Sequence, residues 1–476
     1  MPLRESSLEE GADAAEGEAR FDLDRARGAP PDEMPGVLQL AWPAVVGNLL
    51  YSMVSLVDIK IVGSLGASAV ASVTAGNRLF FVLQAVIMAT GAGTTAMVAR
   101  AWGAGDREEA ERVTKASLVL GTMIALVLSL PGLLFPATLA SIFKIDAEAI
   151  AGAADFIFYL SIFNVAFAVS MILGSAVRAA GDTITPLLLG AATNVVNVFL
   201  VYGLVYGEFG FPALGVKGAA IATGGAFTIG ALLSLLFWWK GWLKIGTKAK
   251  HSLTRARVRQ LFHIGYPAAL ESGAVQVGFI LFLFIVGFYG TAPFTAYGIG
   301  VQILSFSFVV GFGFSIAAST HVGQRLGAND PAGAMHSGWR AMSFSIGIMV
   351  VLGGLIIFFA EAIARFMIDD DEVVRLIVVF IYILGAMQPL MAIEFTLGGA
   401  LRGAGDTRFP LLTTITGLLV VRGTTAAFFA WLGLAVEWIF AALIIDYVVK
   451  SVMLVTRFRG GRWATIKIGA HDDGPT

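Results

Sequence analysis

Runs of roughly 20 predominantly apolar residues recur along the chain, near 37–62, 68–98, 115–138, 151–175, 186–206, 214–239, 259–288, 294–322, 338–362, 373–399, 409–432 and 434–456. A run of that length crosses a hydrocarbon layer as a helix. The expected fold is therefore all-α, a polytopic membrane protein with 12 transmembrane helices. Composition agrees: 57% of the 476 residues are hydrophobic and 14% charged, with mean hydropathy +0.81, against about 45–50% and about 25% in soluble domains. This excludes soluble enzymes, nucleic-acid binders and disordered proteins. The net charge of −1 offers no field for a polyanionic partner, and the absence of cysteine excludes disulfides and thiolate metal sites. The bilayer is the expected surrounding and nucleic acid is not an expected partner.

Residues 1–36 carry ten acids and four arginines. High charge with few large apolar residues predicts a disordered tail. No apolar core follows a basic start, so no secretory signal peptide is expected. Residues 457–476 read as a second, short polar tail. An even span count puts both ends on one side, and basic residues choose the side. Arg100, Arg107, Arg112, Lys115, Arg178, Arg325, Arg340, Arg402, Arg408, the cluster from Lys240 to Arg259 and the tail residues Arg457, Arg459, Arg462 and Lys467 fall in loops sharing the termini's side. The opposite loops hold Lys144, Lys217, Arg365 and Arg375. Both termini are expected in the cytoplasm, with the chain in the cell (inner or plasma) membrane.

Four landmarks recur 224 positions apart: Pro43 and Pro267; Val62-Gly63 with Gly66, and Val286-Gly287 with Gly290; Gly103–Asp106 and Gly327–Asp330; and VRAAGDTITP from Val177 against LRGAGDTRFP from Leu401. Two six-helix bundles follow, 37–239 and 259–456, joined by a basic linker at 240–258. Six is even, so the halves share a topology and are related by a pseudo-twofold axis along the membrane normal. Repeated transporters of this kind hold substrate between the halves and rock them.

These residues resemble the multidrug and toxic compound extrusion (MATE) family. The resemblance is carried by Pro43, VDIKIVGSLG (Val57 to Gly66), VARAWGAGD (Val98 to Asp106), RAAGDT (Arg178 to Thr183), GVKGAAIAT (Gly215 to Thr223) and RGAGDT (Arg402 to Thr407). It spans residues 37–455 and looks more like the DinF-like than the NorM-like branch. It implies a twelve-helix antiporter that expels small organic, often cationic, compounds in exchange for protons or sodium; no other cofactor is expected, and a monomer is.

An ionisable residue in mid-membrane costs about 2.5–3.5 kcal/mol on insertion scales and is functional by default. The acids so placed are Asp58, Glu271, Glu394 and Asp446. Asn48, Tyr51, Ser55 and Asp58 draw a polar stripe along the first helix. A carboxyl group kept from water takes up a proton more readily than one in solution, so such an acid can load and release protons. With Tyr51 and Asn oxygens around it, Asp58 could instead be a metal ligand, for sodium. The other reading is an interhelical hydrogen-bond anchor. In the family pattern the matching aspartate is the coupling residue.

Asn194 and Asn197 share a face of the fifth helix, to ligate a cation, hold the carboxyl of Asp58, or simply pack. Many family members carry an aspartate four residues after the second asparagine; Val201 stands there in this chain, so coupling rests more heavily on Asp58. In the second half Glu271, Gln276, Gln302 and Glu394 are substrate-cavity candidates. The NorM-like branch places its glutamate about eight residues after the seventh-helix proline. Glu271 follows Pro267 by four, so that role is not carried over. Either glutamate binds a cationic substrate or pairs with a polar neighbour. Arg78, also a cavity candidate, needs an acidic or carbonyl partner, and Asp58 is one choice.

The GAGD and GDT segments read as turns, with glycine in a left-handed conformation and aspartate capping the next helix. The tetrads GxGD also occur in membrane aspartyl proteases, but here they flank basic loops. HExxH and GxSxG are absent and the five histidines show no ligand spacing, so no enzyme is expected. A lipid-intermediate or polysaccharide-precursor flippase is the alternative reading. It would need a more cationic cavity than Arg78 and Arg422, the basic residues assigned to the spans proper, supply.

Overall fold

The apolar runs fold as helices whose ends are set by the repeated turns. Asp106 Oδ1 accepts the Glu109 N–H at 2.8 Å, and its repeat mate Asp330 Oδ1 accepts that of Gly333 at 2.7 Å. The residues just before them, Gly105 and Asn329, have φ of 76° and 59°, the left-handed region that glycine and asparagine tolerate. Asp182 accepts from the N–H groups of Ile184 and Thr185 at 3.1 and 3.0 Å. Its mate Asp406 instead pairs with Arg457 at 2.7 Å.

The computed structural model describes residues 35–143 and 145–468. The expected acidic tail, up to residue 34, lies outside the described residues, as do Lys144 and residues 469–476. Among the described residues twelve helices are long and apolar enough to cross a membrane, and there is no strand. They are α1 (Val37–Gly63), α2 (Ala67–Gly103), α3 (Arg107–Leu134), α4 (Ala147–Ala179), α5 (Ile184–Tyr206), α6 (Val216–Trp239), α7 (Arg255–Gly287), α8 (Thr291–Gly327), α9 (Pro331–Phe358), α10 (Asp371–Gly403), α11 (Arg408–Trp431) and α12 (Val436–Arg459). Short helices Pro136–Ser141 and Ala360–Met367 follow α3 and α9 at repeat-related places. A π-helical stretch, Ile415–Arg422, interrupts α11.

The same neighbours pack in each half: α1 on α5, α2 on α4, α3 on α4 and α4 on α6, matched by α7 on α11, α8 on α10, α9 on α10 and α10 on α12. Between the halves α2 meets α7 and α8, and α8 meets α1. Exchanging the halves maps these contacts onto one another, as a pseudo-twofold axis between α2 and α8 requires.

The halves touch most tightly at the end that carries both termini. Gly103 abuts the Gln324 backbone and Gly327 the Arg100 backbone, leaving no room for a Cβ at either. Gln324 Nε2 donates to Ala179 O at 2.7 Å, and Arg100 Nη1 to Ile466 O at 2.6 Å. Toward the opposite end α2 leaves Asn77, Arg78 and Phe81 exposed, and α8 leaves Gln302, Ser305 and Phe306 exposed. The result is a cleft closed at the terminal end.

Three expectations change. Arg178 and Arg402 are not loop residues, because α4 and α10 continue to Ala179 and Gly403. The linker ends at Arg255, where α7 starts, and it is held to α3: Lys115 Nζ donates to Thr247 O and Ala249 O at 2.7 and 2.6 Å. Arg257, inside α7, forks onto Glu109 at 2.9 and 2.7 Å. Finally, the described part of the C-terminal stretch is not a loose polar tail. Trp463 is fully buried, stacked 4.6 Å from Phe458, and Ile468 packs on the core of the first half.

Candidate functional site

Asp58 lies five residues before Gly63 ends α1, on the side of that helix that meets α5. The α1–α5 contact is fixed at the far end by Tyr206, whose hydroxyl donates to Ile61 O at 3.0 Å. Asn197, buried on α5, then reaches the carboxylate: its Nδ2 donates to Asp58 Oδ2 at 2.8 Å. Asp58 Oδ1 and Asn197 Oδ1 are themselves buried and have no hydrogen-bond partner among the described residues. Two oxygens with unused lone pairs and one negative charge make a place for a proton or a hard cation.

The other first-half candidates stand apart from this pair. Tyr51 is 55% exposed and forms no hydrogen bond to Asp58. Asn194, one turn before Asn197, is half-buried and unbonded among the described residues. Arg78 does not reach Asp58. It sits on the exposed face of α2 without an ion pair among the described residues, because Asp58 turns to α5 rather than to α2.

In the second half both glutamates are paired. Arg402 Nη1 donates to Glu271 at 3.0 and 3.2 Å, and its Nη2 to Ser315 Oγ at 3.2 Å. Lys450 on α12 donates to Glu394 at 2.9 Å and lies 3.4 Å from Asp446. Asp446, fully buried, also pairs with Arg422. Gly417, in the π-helical stretch that ends at Arg422, makes this packing possible; any side chain there would collide with Asp446 and Lys450. Gln276 is half-buried and Gln302 exposed, and neither side chain is hydrogen-bonded among the described residues.

Lys450 is the residue that the reading of the sequence missed. It lies within α12 and is 3% exposed, so Arg78 and Arg422 are not the full basic inventory of the spans. A signal was present: Asp446 and Lys450 are four apart, and so share one face of an otherwise apolar helix. The two acids and two bases of the cluster balance, as do Glu271 and Arg402. Of the four intramembrane acids, Asp58 alone lacks a basic partner among the described residues.

Twelve spans in two repeated halves, with one intramembrane acid left without a basic partner among the described residues, define a membrane transporter rather than an enzyme. The MatE family model matches residues 43–202 and 267–428, and the chain belongs to that family. The "Probable multidrug resistance protein NorM" of Thermotoga maritima is 28% identical over 445 residues, covering 91% of this chain and 95% of the relative. The "Multidrug resistance protein NorM" of Burkholderia vietnamiensis is 28% identical, covering 87% and 92%. These names lean away from the DinF-like branch. Among solved structures, a MOP superfamily transporter from Pyrococcus furiosus superimposes with TM-score 0.83 at 19% identity, covering 90% of this chain and 94% of that one. A multidrug resistance MATE transporter described as outward-facing superimposes with TM-score 0.81 at 18% identity, covering 90% and 96%.

Proposed function

We propose that this transporter is a cation-coupled antiporter that exports small organic, often cationic, compounds by alternating access, with Asp58 as the coupling group. The observation that carries the reading is that Asp58, alone among the intramembrane acids, has no resident cation among the described residues while one of its oxygens is buried and unpartnered. A proton neutralises it directly. Sodium would take Asp58 Oδ1 and Asn197 Oδ1 as two of its oxygen ligands. Either ion changes the charge at the α1–α5 contact, and so the balance between the two positions of the halves. The names of the relatives support drug export.

The basic residues on the terminal side support cytoplasmic termini, with the cleft then open to the exterior. One elementary charge crossing the membrane contributes about 2.3 kcal/mol per 100 mV, which drives export of a neutral solute; one-for-one exchange against a singly charged cation is electroneutral and is driven by the ion's concentration gradient. For the flippase alternative, Lys450 and Arg422 are already occupied by Glu394 and Asp446, which leaves Arg78 and Arg178 as the arginines able to meet a phosphate.

The test is efflux of a fluorescent cationic dye from proteoliposomes under an imposed gradient. Asp58→Asn should reduce gradient-driven efflux to the protein-free background while dye binding persists. Imposing a proton or a sodium gradient separately identifies the ion. Undiminished efflux in the variant would refute the assignment.

A further inference from the structure

The repeat that relates the halves fails at one place. Arg402 is fully engaged: Glu271 of α7 faces its Nη1, Ser315 of α8 its Nη2, and the Thr414 hydroxyl of α11 lies 3.4 Å from the same carboxylate. The matching arginine, Arg178 of α4, keeps a single hydrogen bond, from Nη2 to Ser175 Oγ at 3.2 Å, and no acid among the described residues. The serine has moved between facing helices. Ser315 on α8 lies against Gly399 on α10, whereas Gly91 on α2 lies against Ser175 on α4. The hydroxyl thus survives in both halves. The glutamate and threonine do not, since the positions matching Glu271 and Thr414 are Gly47 on α1 and Gly190 on α5.

Space takes their place. A Cβ at Gly47 would meet only the Leu187 side chain, 3.6 Å away, and one at Gly190 nothing within 4 Å. A guanidinium is always charged and presents paired N–H donors that match a carboxylate. Left unpaired in a membrane span it is costly.

We infer that Arg178, the Ser175 hydroxyl and the gap left by Gly47 and Gly190 form a subsite for the carboxylate of a small organic acid or zwitterion. The ligand's carboxylate takes the part that the Glu271 side chain plays in the other half, so a propionate-sized end group fits. This extends the export reading by naming a substrate class, and it makes no use of Asp58.

The test is binding of radiolabelled phenylpropionate to the full chain in phosphatidylcholine nanodiscs, with phenylpropionamide as the uncharged control. Arg178→Met should weaken phenylpropionate at least about tenfold, as expected for losing a charged hydrogen-bond donor, and leave the amide unchanged. Gly47→Glu, which restores the missing carboxylate from α1, should do the same with the arginine still present; it carries the test if Arg178→Met does not fold. Arg178→Lys should retain part of the affinity. Phenylpropionate binding that is absent from the unaltered chain, or equal in the unaltered chain and Gly47→Glu, overturns the subsite. Displacement of phenylpropionate by phosphatidylglycerol added to the nanodiscs would assign the gap to a lipid headgroup and overturn the organic acid. The assay needs neither gradient nor turnover, so its failure is separable from a failure of coupling at Asp58.

Discussion

Charge pairing divides the intramembrane residues into two kinds. Glu394, Lys450, Asp446 and Arg422 form a closed account, each charge facing an opposite one in a buried site. Removing one member strands its partner, which costs about 3–5 kcal/mol in buried pairs. Lys450→Met should therefore lower the melting temperature of the detergent-solubilised protein markedly. Arg365→Met, which removes only exposed pairs with Glu361 and Asp371, should leave it unchanged. Asp58 is the opposite case: it has a hydrogen bond but no counter-charge, so its substitution should cost coupling and little stability. The sequence singled out Asp58 because a polar stripe on an apolar helix is conspicuous. It could not show that Asn197 rather than Tyr51 is its partner, since that depends on how α1 and α5 are rotated against each other.

The helices are legible as elements, but their contacts are not. Apolar runs, repeated turns and caps placed α1 to α12 with ends off by up to eight residues, the largest miss being the start of α3 at Arg107. The misplacements, Arg178 and Arg402 as loop residues and the linker running to 258, arise near helix ends. Hydropathy falls there while the backbone stays helical. At 37 residues each, α2 and α8 reach about 55 Å at 1.5 Å per residue, well beyond an apolar core of about 30 Å. Their overhang holds the glycine contacts that close the terminal end. Gly103→Leu should hold α2 away from α8. With no native cysteine in the chain, an Ala99→Cys reporter, buried against Gly323, should react with maleimide slowly by itself and faster when combined with Gly103→Leu.

Across the assembled transporter, the closed end is tied by more than α2 and α8. The stretch after α12 crosses from the second half to the first, through the Arg100–Ile466 hydrogen bond and the packing of Ile468. Ending the chain at Gly461 removes the Trp463 stack and both ties. The same Ala99→Cys reporter should then be labelled faster, and an unchanged rate would show that helix packing alone keeps this end shut. Two buried clusters also cross the boundary: Val37, Leu40 and Ala41 of α1 pack with the second half, and Leu261 and Ile264 of α7 with the first.

Span number, the duplication and the family were all carried by local signals: apolar length, turn chemistry and a constant 224-residue offset. The facing of each helix was not, because lipid is as apolar as a protein core and apolar side chains toward either look alike. Which acid keeps its charge unpaired, which arginine lost its glutamate and which end of the cleft is shut depend on side chains from helices distant in the chain. Only packing brings those together, and it is packing that separates Asp58 and Arg178 from residues of the same type that serve as internal counter-ions.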